Sequence, residues 1–346
     1  MKILHLDTGK EWRGGQRQAK ILHEGLLASG IESFFLANHR GILYKELNNT
    51  NKLPLEYRGE FSYKTHQQVA EIIKSINPDI IHAHDGHSVT LGAWHKMEGK
   101  KFIATRRVSY PISFLSRHLK YSRVDYHVAV SHDIAKYLAR YFNKITVIHS
   151  CIQNSRFHRN INESPLEKSS TINILFVGAF SPQKGIDILI KAFADIYKTH
   201  KNSTLHLVGD GKLLSEIKQL SEDLDIHSQI VFYGARIDIE NFYLNSDIVV
   251  VPSIDGEGSS GVIKEGMAAG KIVIASSLDA NKELLDDGKN GILFQCGSYS
   301  DLVLKLKYAL ANPSVIDKAN ILNKANSFDC KLLIKDYTTL YEKILS

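Results

Sequence analysis

Short runs of Ile and Val alternate with helical patterns along the whole chain, and this alternation constrains the fold more than any other feature. Uninterrupted apolar runs of strand length are typical of strands buried on both faces of a parallel sheet. The segments between them have the length and pattern of crossover helices. We therefore predict an α/β protein with doubly wound parallel sheets. The predicted strands are Lys2–Leu6, Glu32–Ala37, Ile80–His82, Lys101–Thr105, Tyr126–Val130, Ile145–Ile148, Asn173–Val177, Thr204–Val208, Ile230–Tyr233, Ile248–Val251, Lys271–Ala275 and Gly291–Phe294.

A polar stretch near the middle of the chain separates these strands into two groups. Residues 160–171 have almost no apolar face, so they are predicted to be a linker. A chain of 346 residues is long enough for two domains of ordinary size. We predict an N-terminal Rossmann-like domain over residues 1–160 and a C-terminal one over residues 172–327. An amphipathic helix over residues 328–346 is expected to pack back on the N-terminal domain.

Composition limits the cellular setting. No run of about 18 uncharged apolar residues occurs, which argues against a membrane-spanning helix. An aspartate at position 7 argues against a signal peptide. The cysteines at positions 151, 296 and 330 are far apart in sequence and predict neither a disulfide framework nor a zinc site. We therefore expect a cytoplasmic protein with reduced thiols.

Charge is distributed unevenly along the chain. Residues 1–165 hold 24 Lys and Arg against 14 Asp and Glu, and 13 of the 16 histidines, whereas the remaining residues hold 19 against 23. A basic first half favours an anionic acceptor or an anionic surface, although uneven surface solubility is an alternative that the sequence leaves open. No helix-turn-helix or RNA-binding signature accompanies the positive charge, so we expect no nucleic-acid partner.

Two glutamates in the second half flank a turn of small residues. Glu257 and Glu265 are separated by eight positions, and the turn follows a buried strand and opens an apolar helix. Free N–H groups and the positive end of a helix form an anion site where small side chains leave room for a ligand. Eight helical steps make about two turns, so both acids are predicted to face one ligand. A nucleotide sugar has hydroxyl groups on both sides of its phosphates and suits this pattern. The predicted cradle is Gly258, Ser259, Ser260 and Gly261.

Two further loops carry candidate anion-binding groups. Lys184 follows the strand that ends at Val177, where an ammonium can meet a diphosphate, although a solvent-exposed loop lysine is the alternative. Gly14 and Gly15 follow the first strand and open a helix, which lets the backbone approach an anion closely. The spacing differs from the dinucleotide-binding glycine pattern, and a plain turn remains an alternative.

The segment Ile81–His87 carries three histidines and an aspartate in the order His-x-His-Asp-x-His. Metallo-β-lactamase-like hydrolases carry the acid one position later. No later cluster of acids or histidines completes such a site, so we predict no metal.

Aromatic, aliphatic and cationic residues are mixed over Tyr110–Arg123. Such a stretch is compatible with a segment that rests on an anionic membrane surface. It is equally compatible with a core helix that has one solvated face.

The second half resembles the family 4 retaining glycosyltransferases of the GT-B fold. The matching motifs occur in the family's order, cover about 120 residues, and are specific as an ordered set although each alone is weak. They are Val177–Gly185, Leu207–Gly211, Val231–Gly234, Ser246–Ser253, Glu257–Glu265 and Asp286–Phe294.

The resemblance implies two Rossmann-like domains that face each other across a cleft, and a metal-independent transfer with retention by same-face attack. It also implies a role for individual residues. Glu257 would contact the hydroxyls of the donor sugar, Glu265 the nucleotide ribose, and Lys184 the leaving diphosphate. His84 maps onto a family histidine near the donor sugar and acceptor, so His84, Lys184 and Glu257 are the predicted catalytic residues. The predicted donor-binding set adds Gly14, Gly15, Gly209, Arg236 and the cradle residues.

One position departs from the family pattern. The family often has an arginine after the glycine that corresponds to Gly178, and this chain has Ala179 there. Arg106 and Arg107, which follow a strand in the first half, are candidates both to replace that cation and to bind the acceptor.

The resemblance, together with the basic first half, predicts a hexosyltransferase-like enzyme of bacterial envelope polysaccharide assembly, such as lipopolysaccharide core or O-antigen. Its donor would be a nucleotide sugar, used as a substrate with no separate cofactor, and its acceptor an anionic glycan or lipid-linked sugar. The expected location is the cytoplasm, with peripheral contact at the inner membrane as a candidate. A GT-B-shaped sugar-nucleotide epimerase and a non-catalytic nucleotide-sugar-binding subunit are the alternatives.

Overall fold

The computed structural model describes residues 1–48, 51–157, 166 and 171–346. The chain divides into two compact units. Unit 1 comprises Met1–Cys151 together with Cys330–Ser346, and unit 2 comprises Ile152–Asp329. The first boundary therefore falls before the predicted linker, most of which lies outside the described residues.

Strand positions follow the predicted ones to within one or two residues, with one strand added. The observed strands are β1 (Lys2–Asp7), β2 (Glu32–Asn38), β3 (Lys52–Leu55), β4 (Ile80–Ala83), β5 (Lys101–Arg106), β6 (Tyr126–Ala129), β7 (Ile145–Val147), β8 (Ile172–Val177), β9 (Ser203–Val208), β10 (Ile230–Gly234), β11 (Ile248–Val251), β12 (Ile272–Ser276) and β13 (Ile292–Phe294).

Helices connect successive strands in both units. They are α1 (Gly14–Ala28), α2 (Ile42–Glu46), α3 (Tyr63–Ile76), α4 (Gly86–Trp94), α5 (Phe114–Leu119), α6 (His132–Leu138), α7 (Ile186–Thr199), α8 (Leu214–Asp223), α9 (Ile239–Asn245), α10 (Gly261–Ala268), α11 (Asp279–Leu284), α12 (Tyr299–Ala311), α13 (Lys318–Asn326) and α14 (Cys330–Leu345). In the described part of the chain, no helix is both long enough and apolar enough to cross a bilayer.

Unit 1 is built on a parallel sheet with the strand order β3-β2-β1-β4-β5-β6-β7. Leu4 in β1 is paired with Phe34 on one side and Ile81 on the other, and the next position places His5 between Phe35 and His82. The strand order reverses between β1 and β4, and ligands of doubly wound sheets bind at the carboxyl ends of the strands at such a point. The sequence missed β3 because it is a short edge strand that contains Pro54, and proline is tolerated at a sheet edge.

Helix α14 belongs to unit 1. Its buried Tyr341 shares a hydrogen bond with Nδ1 of His82 in β4, with the two atoms 2.7 Å apart. Tyr337 shares another with the hydroxyl of Thr105 in β5, at 3.0 Å. These polar contacts, with buried Leu340 and Ile344 around them, hold α14 against the sheet.

Unit 2 is built on a second parallel sheet, with the order β10-β9-β8-β11-β12-β13. Apolar clusters cover both faces, one centred on α7 and α12 and the other on α9, α10 and α13. Because the strand order reverses between β8 and β11, the loops that follow these two strands meet at one edge of the sheet.

Candidate functional site

The candidate site of unit 2 lies where the chain leaves β8 and β11. After β8 the chain forms a 3₁₀ turn, Pro182–Lys184, and then enters α7. After β11 it runs through an irregular loop into α10. The backbone N–H of Ile254 donates to the carbonyl of Gln183 at 2.8 Å, which ties the two loops together.

Gly185 makes this close approach feasible. Its φ of +59° lies in the left-handed region, which glycine adopts at little cost. A Cβ at this position would collide with the carbonyl oxygen of Pro252. The glycine therefore lets the turn carrying Lys184 rest directly on the loop carrying Glu257.

Lys184 and Glu257 form an ion pair at this place. Lys184 Nζ lies 2.6 Å from Glu257 Oε1, and the hydroxyl of Ser253 donates to the same oxygen at 2.6 Å. The Glu257 side chain is only 7% exposed, whereas that of Lys184 is 29% exposed. An ammonium has three donors, so Lys184 can hold Glu257 and still offer hydrogen bonds to an anionic ligand. Ser253 was not among the predicted residues, although it ends the strand motif.

The predicted cradle forms the start of α10. Ser260 precedes the first helical residue, Gly261, and a Cβ added at Gly261 would meet no atom within 4 Å. The Ser259 hydroxyl accepts a hydrogen bond from Lys264 Nζ at 2.5 Å, and that lysine is fully buried beside the ring of Phe328. The start of α10 is therefore open, and the buried Lys264 holds the Ser259 hydroxyl in place. This arrangement is suited to an anion.

Glu265 lies more than one turn inside α10. It is 6% exposed and accepts a hydrogen bond from the buried hydroxyl of Tyr243 at 3.0 Å. Tyr243 is therefore a buried partner of Glu265 that the sequence did not indicate. Glu257 lies in the loop before α10, so the two acids are not separated by turns of one helix as the sequence predicted.

The other two predicted donor residues of unit 2 are Gly209 and Arg236. Gly209 has a φ of +140°, and a Cβ there would collide with the carbonyl of Gly178, so close packing of two loops accounts for the glycine. Arg236 donates two hydrogen bonds of 2.8 Å to Asp238 on the exposed surface. It follows β10, two strands from β8, and its contacts within the described residues do not include Lys184 or Glu257.

In unit 1, three predicted residues lie together at the carboxyl ends of β4 and β5 and the start of α1. Arg107 Nη2 lies 3.5 Å from His84 Nδ1. A Cβ built on Gly15 would lie 3.2 Å from the Arg107 side chain, whereas nothing lies within 4 Å of one built on Gly14. Arg107 Nε is buried without a hydrogen-bond partner among the described residues. A cation and a helix N-terminus thus converge in one place, which suits an anion.

His84 belongs to a cluster of buried histidines. Its Nε2 lies 2.9 Å from Nδ1 of His5, and potential ligand atoms of His5, His82 and His84 lie within 4.8 Å of one another. Both ring nitrogens of His82 are occupied by the hydroxyls of Tyr341 and Thr105. Burial, followed by the charges of His82, His5 and Arg107, lowers the pKa of His84 well below its ordinary value. The ring is therefore neutral at physiological pH, with one nitrogen able to donate and the other able to accept a hydrogen bond.

Arg106 is engaged elsewhere. It donates to the carbonyl of Tyr110 and lies over the ring of Tyr137, 5.6 Å from its centroid. Of the two arginines that were predicted as equivalent candidates, Arg107 is the one placed beside His84 and Gly15.

Two acids that the sequence did not indicate as site residues lie at the switch point of unit 1. Asp7 ends β1 and is fully buried, where its carboxylate accepts from the backbone of Gly9 and from Gln16. Burial, with the nearby charge of Asp85, raises the pKa of Asp7 to about 7. Asp85 caps α4 and accepts from the backbone and hydroxyl of Thr8. The sequence feature that could have indicated Asp7 is its position directly after the predicted first strand.

Two doubly wound parallel sheets, each with polar groups gathered at its switch point, define the GT-B class of fold. A family model described as glycosyl transferases group 1 matches residues 157–327, and one described as Glycosyltransferase Family 4 matches residues 12–156. Together they match nearly the whole chain, which belongs to this glycosyltransferase family.

Solved structures agree on the fold. A glycosyltransferase from Rickettsia africae superposes with a TM-score of 0.86 at 23% identity, over 100% of this chain and 98% of the other. Anabaena HepE in complex with UDP-glucose superposes with a TM-score of 0.84 at 19% identity, over 99% and 100%.

Curated relatives include an uncharacterized glycosyltransferase from Methanocaldococcus jannaschii, 35% identical over 45% of this chain and 43% of that protein. The match therefore spans less than half of that relative's length. The lipopolysaccharide core biosynthesis glycosyltransferase LpsD of Rhizobium meliloti is 23% identical over 92% of this chain and 90% of its own.

Proposed function

We propose that this protein is a retaining, metal-independent glycosyltransferase that moves a sugar from a nucleotide-sugar donor to an envelope glycan, such as lipopolysaccharide core or O-antigen. The observation that carries the proposal is the Lys184–Glu257 ion pair, with its 2.6 Å contact, at the switch point of unit 2. The family of the chain supports the reaction class, and the similarity to LpsD supports the envelope pathway.

The donor is proposed to bind at the carboxyl edge of the unit 2 sheet. Its diphosphate would lie between Lys184 and the open start of α10, where positive charge is already placed. Glu257 would accept hydrogen bonds from hydroxyls of the transferred sugar, and Glu265 from those of the nucleotide ribose. Charge that develops on the leaving diphosphate would be stabilised by groups that need not reorganise, which is the main source of rate enhancement in such transfers. UDP-glucose bound to HepE makes a uridine nucleotide the first donor to test.

Unit 1 is proposed to bind the acceptor. Arg107, together with the start of α1 at Gly15, would hold an anionic group of the acceptor, and neutral His84 would orient a hydroxyl by hydrogen bonding. Arg107 is favoured over Arg106 because it lies beside His84 and Gly15, whereas Arg106 is held by Tyr110 and Tyr137.

We also propose that unit 1 rests on an anionic membrane surface at the cytoplasmic face. Four large apolar side chains line a groove of about 270 Å³ together with Arg123, Lys120 and Glu60, the last two of which form an ion pair of 3.4 Å. Apolar side chains beside cations match the interface of a bilayer that contains anionic lipids, and this observation favours the membrane alternative for the Tyr110–Arg123 stretch. The apolar residues and their exposed fractions are Phe61 76%, Trp94 59%, Leu115 67% and Leu119 64%.

Donor binding is the first test of the proposed activity. Thermal-shift measurements with UDP, GDP and ADP should show one nucleotide that raises the melting temperature, because a ligand that binds only the folded state stabilises it. The matching nucleotide sugar should then be consumed only when a glycan acceptor is present, with or without EDTA. Donor conversion without an acceptor would identify an epimerase instead. Nucleotide binding without any turnover would identify a non-catalytic subunit.

The membrane proposal has its own test. Sedimentation with vesicles of phosphatidylglycerol and phosphatidylethanolamine should recover the wild-type protein, and Leu115→Glu with Leu119→Glu should abolish recovery. Leu304→Glu is the matched control, because Leu304 in α12 is also 64% exposed but lies in unit 2. Equal recovery of the double variant and the control would contradict the proposal.

A further inference from the structure

Two of the three cysteines lie against each other, although they are far apart in sequence. The sulfur atoms of Cys151 and Cys330 are 2.7 Å apart. Both residues belong to unit 1, and they are its last residue before the chain passes into unit 2 and its first residue after the chain returns. Residues 152–329 therefore form one loop of the chain whose two ends meet at this pair of thiols.

Backbone contacts fix both members of the pair. Cys151 exchanges two hydrogen bonds with the side-chain amide of Gln18 in α1, each 2.8 Å long. Cys330 is the first residue of α14, which Tyr337 and Tyr341 anchor to β5 and β4. Because these contacts fix both backbones, the fold keeps the two cysteines next to each other.

We propose that Cys151 and Cys330 form a reversible disulfide when the protein meets a peroxide. Cys330 is partly exposed whereas Cys151 is 4% exposed, so the peroxide reaches Cys330 first. The Cys330 thiolate attacks one peroxide oxygen, which breaks the O–O bond, releases hydroxide and leaves a sulfenic acid. The Cys151 sulfur then attacks the Cys330 sulfur, and the sulfenic oxygen leaves as water. In total, two thiols are oxidised to one disulfide and one peroxide is reduced to two waters.

The disulfide would close the chain around unit 2. A cross-link of this kind stabilises a protein mainly by restricting its unfolded chain, and the restriction grows with the length of the closed loop. Bond formation requires the sulfurs to approach to about 2.05 Å, a small displacement from their present separation. Thiols such as glutathione or thioredoxin would reverse the step by exchange. The pair would therefore act as a redox-dependent lock on the point where α14 joins unit 1.

The test uses the full-length protein, reduced and then treated with hydrogen peroxide. Thiol titration should fall from three groups to one, and peptide mass spectrometry should find Cys151 joined to Cys330 in a monomer. The melting temperature should rise by roughly 5 °C on oxidation and return after dithiothreitol. The variants Cys151→Ala and Cys330→Ser should lose both the cross-link and the shift, and Cys296→Ser, the matched control, should keep both.

Two outcomes would overturn the proposal. One is a wild-type protein in which all three thiols still titrate after peroxide treatment that oxidises a reference dithiol peptide. The other is oxidation of Cys330 to sulfinic or sulfonic acid with no cross-linked peptide. Because serine is close to cysteine in size but more polar, the folded state of Cys330→Ser is checked by circular dichroism before the oxidation is compared.

Discussion

At the scale of single residues, the ion pair of Lys184 and Glu257 joins two side chains for which the sequence predicts separate roles. Glu257 receives hydrogen bonds from Lys184 and Ser253 on one oxygen, which fixes its position without a ligand. Under the proposed function, a carboxylate held in this way would be preorganised to meet sugar hydroxyls, and the ammonium would lie near the open helix start. Each side chain positions the other.

Lys184→Ala should lower kcat by about 10²- to 10³-fold if Lys184 stabilises the leaving diphosphate, the range seen when one such electrostatic donor is removed. Lys191→Ala is the control, since Lys191 lies in α7 and forms a comparable but exposed ion pair with Asp187. Steady-state transfer assays on both variants check the prediction. A Lys184→Ala enzyme with wild-type kcat would remove this lysine from the mechanism.

The raised pKa of Asp7 predicts that this residue makes the stability of the folded protein depend on pH. Its pKa is raised to about 7 in the folded protein and is 3.8 ordinarily, so the folded state holds the proton more tightly. The contribution of Asp7 to stability is therefore greatest at low pH and is lost as the pH rises from about 4 through 7. Asp7→Asn removes this loss.

Denaturant unfolding of Asp7→Asn and wild type at pH 5 and pH 8 checks the sign. The stability of the variant relative to wild type should improve by about 2 kcal/mol between the two pH values. Asp223→Asn, an exposed substitution in α8, is the control. A difference that is constant with pH would show that Asp7 is ionised throughout this range.

At the scale of elements, the strands could be predicted because each central strand is an uninterrupted apolar run, and such runs have few alternatives to a buried parallel strand. The edge strand β3, which is short and contains proline, lacks that signal. The contact of Lys184 with Glu257 could not be derived from the residues alone, because it depends on β8 and β11 being neighbours in the sheet. The sequence predicts that Lys184 and Glu257 each follow a strand. The strand order of the sheet is what places the ends of those two strands side by side.

Gly185→Ala tests the junction between these two elements. The substitution places a side chain at a φ of +59° and against the carbonyl of Pro252, so strain and collision add. A loss of about 2–4 kcal/mol in the free energy of unfolding is expected. Gly234→Ala is the matched control, with a φ of +66° but nothing within 4 Å of the new Cβ, and should cost only about 1 kcal/mol. Equal losses in chemical denaturation would mean that the loop after β11 yields to the added methyl group.

At the scale of the whole molecule, the two units differ in the number of buried histidines whose pKa is lowered. Burial lowers the pKa of His5, His82 and His84 in unit 1 well below 6.5. His127, also in unit 1, has a pKa of about 4. In unit 2 the comparable residue is His206, also at about 4. Buried histidines with lowered pKa values are thus concentrated in unit 1.

Buried histidines with lowered pKa values make the folded state less stable at acidic pH. The unfolded chain takes up protons near pH 6.5, and the folded rings do not, so stability is full above pH 6.5 and falls as the pH drops below it. For His127 alone the loss between pH 6.5 and 4 is roughly 3 kcal/mol. The raised pKa of Asp7 favours the folded state at low pH and so opposes this loss, but Asp7 is one group against the four buried histidines of unit 1. Unit 1 should therefore lose more stability than unit 2 when the pH falls from 7 to 5.

Hydrogen exchange followed by mass spectrometry can report the two units separately. Between pH 7 and pH 5, after correction for the intrinsic exchange rate, protection should fall more in β1, β4, β5 and β6 than in β8, β9 and β11. His127→Phe, which keeps an aromatic ring against Phe142, should reduce the fall in unit 1, because it removes a titrating group without removing the stacking. His118→Ala, at an exposed position of α5, should leave the fall unchanged. An equal loss of protection in both sheets would show that the buried histidines of unit 1 do not govern its response to acid.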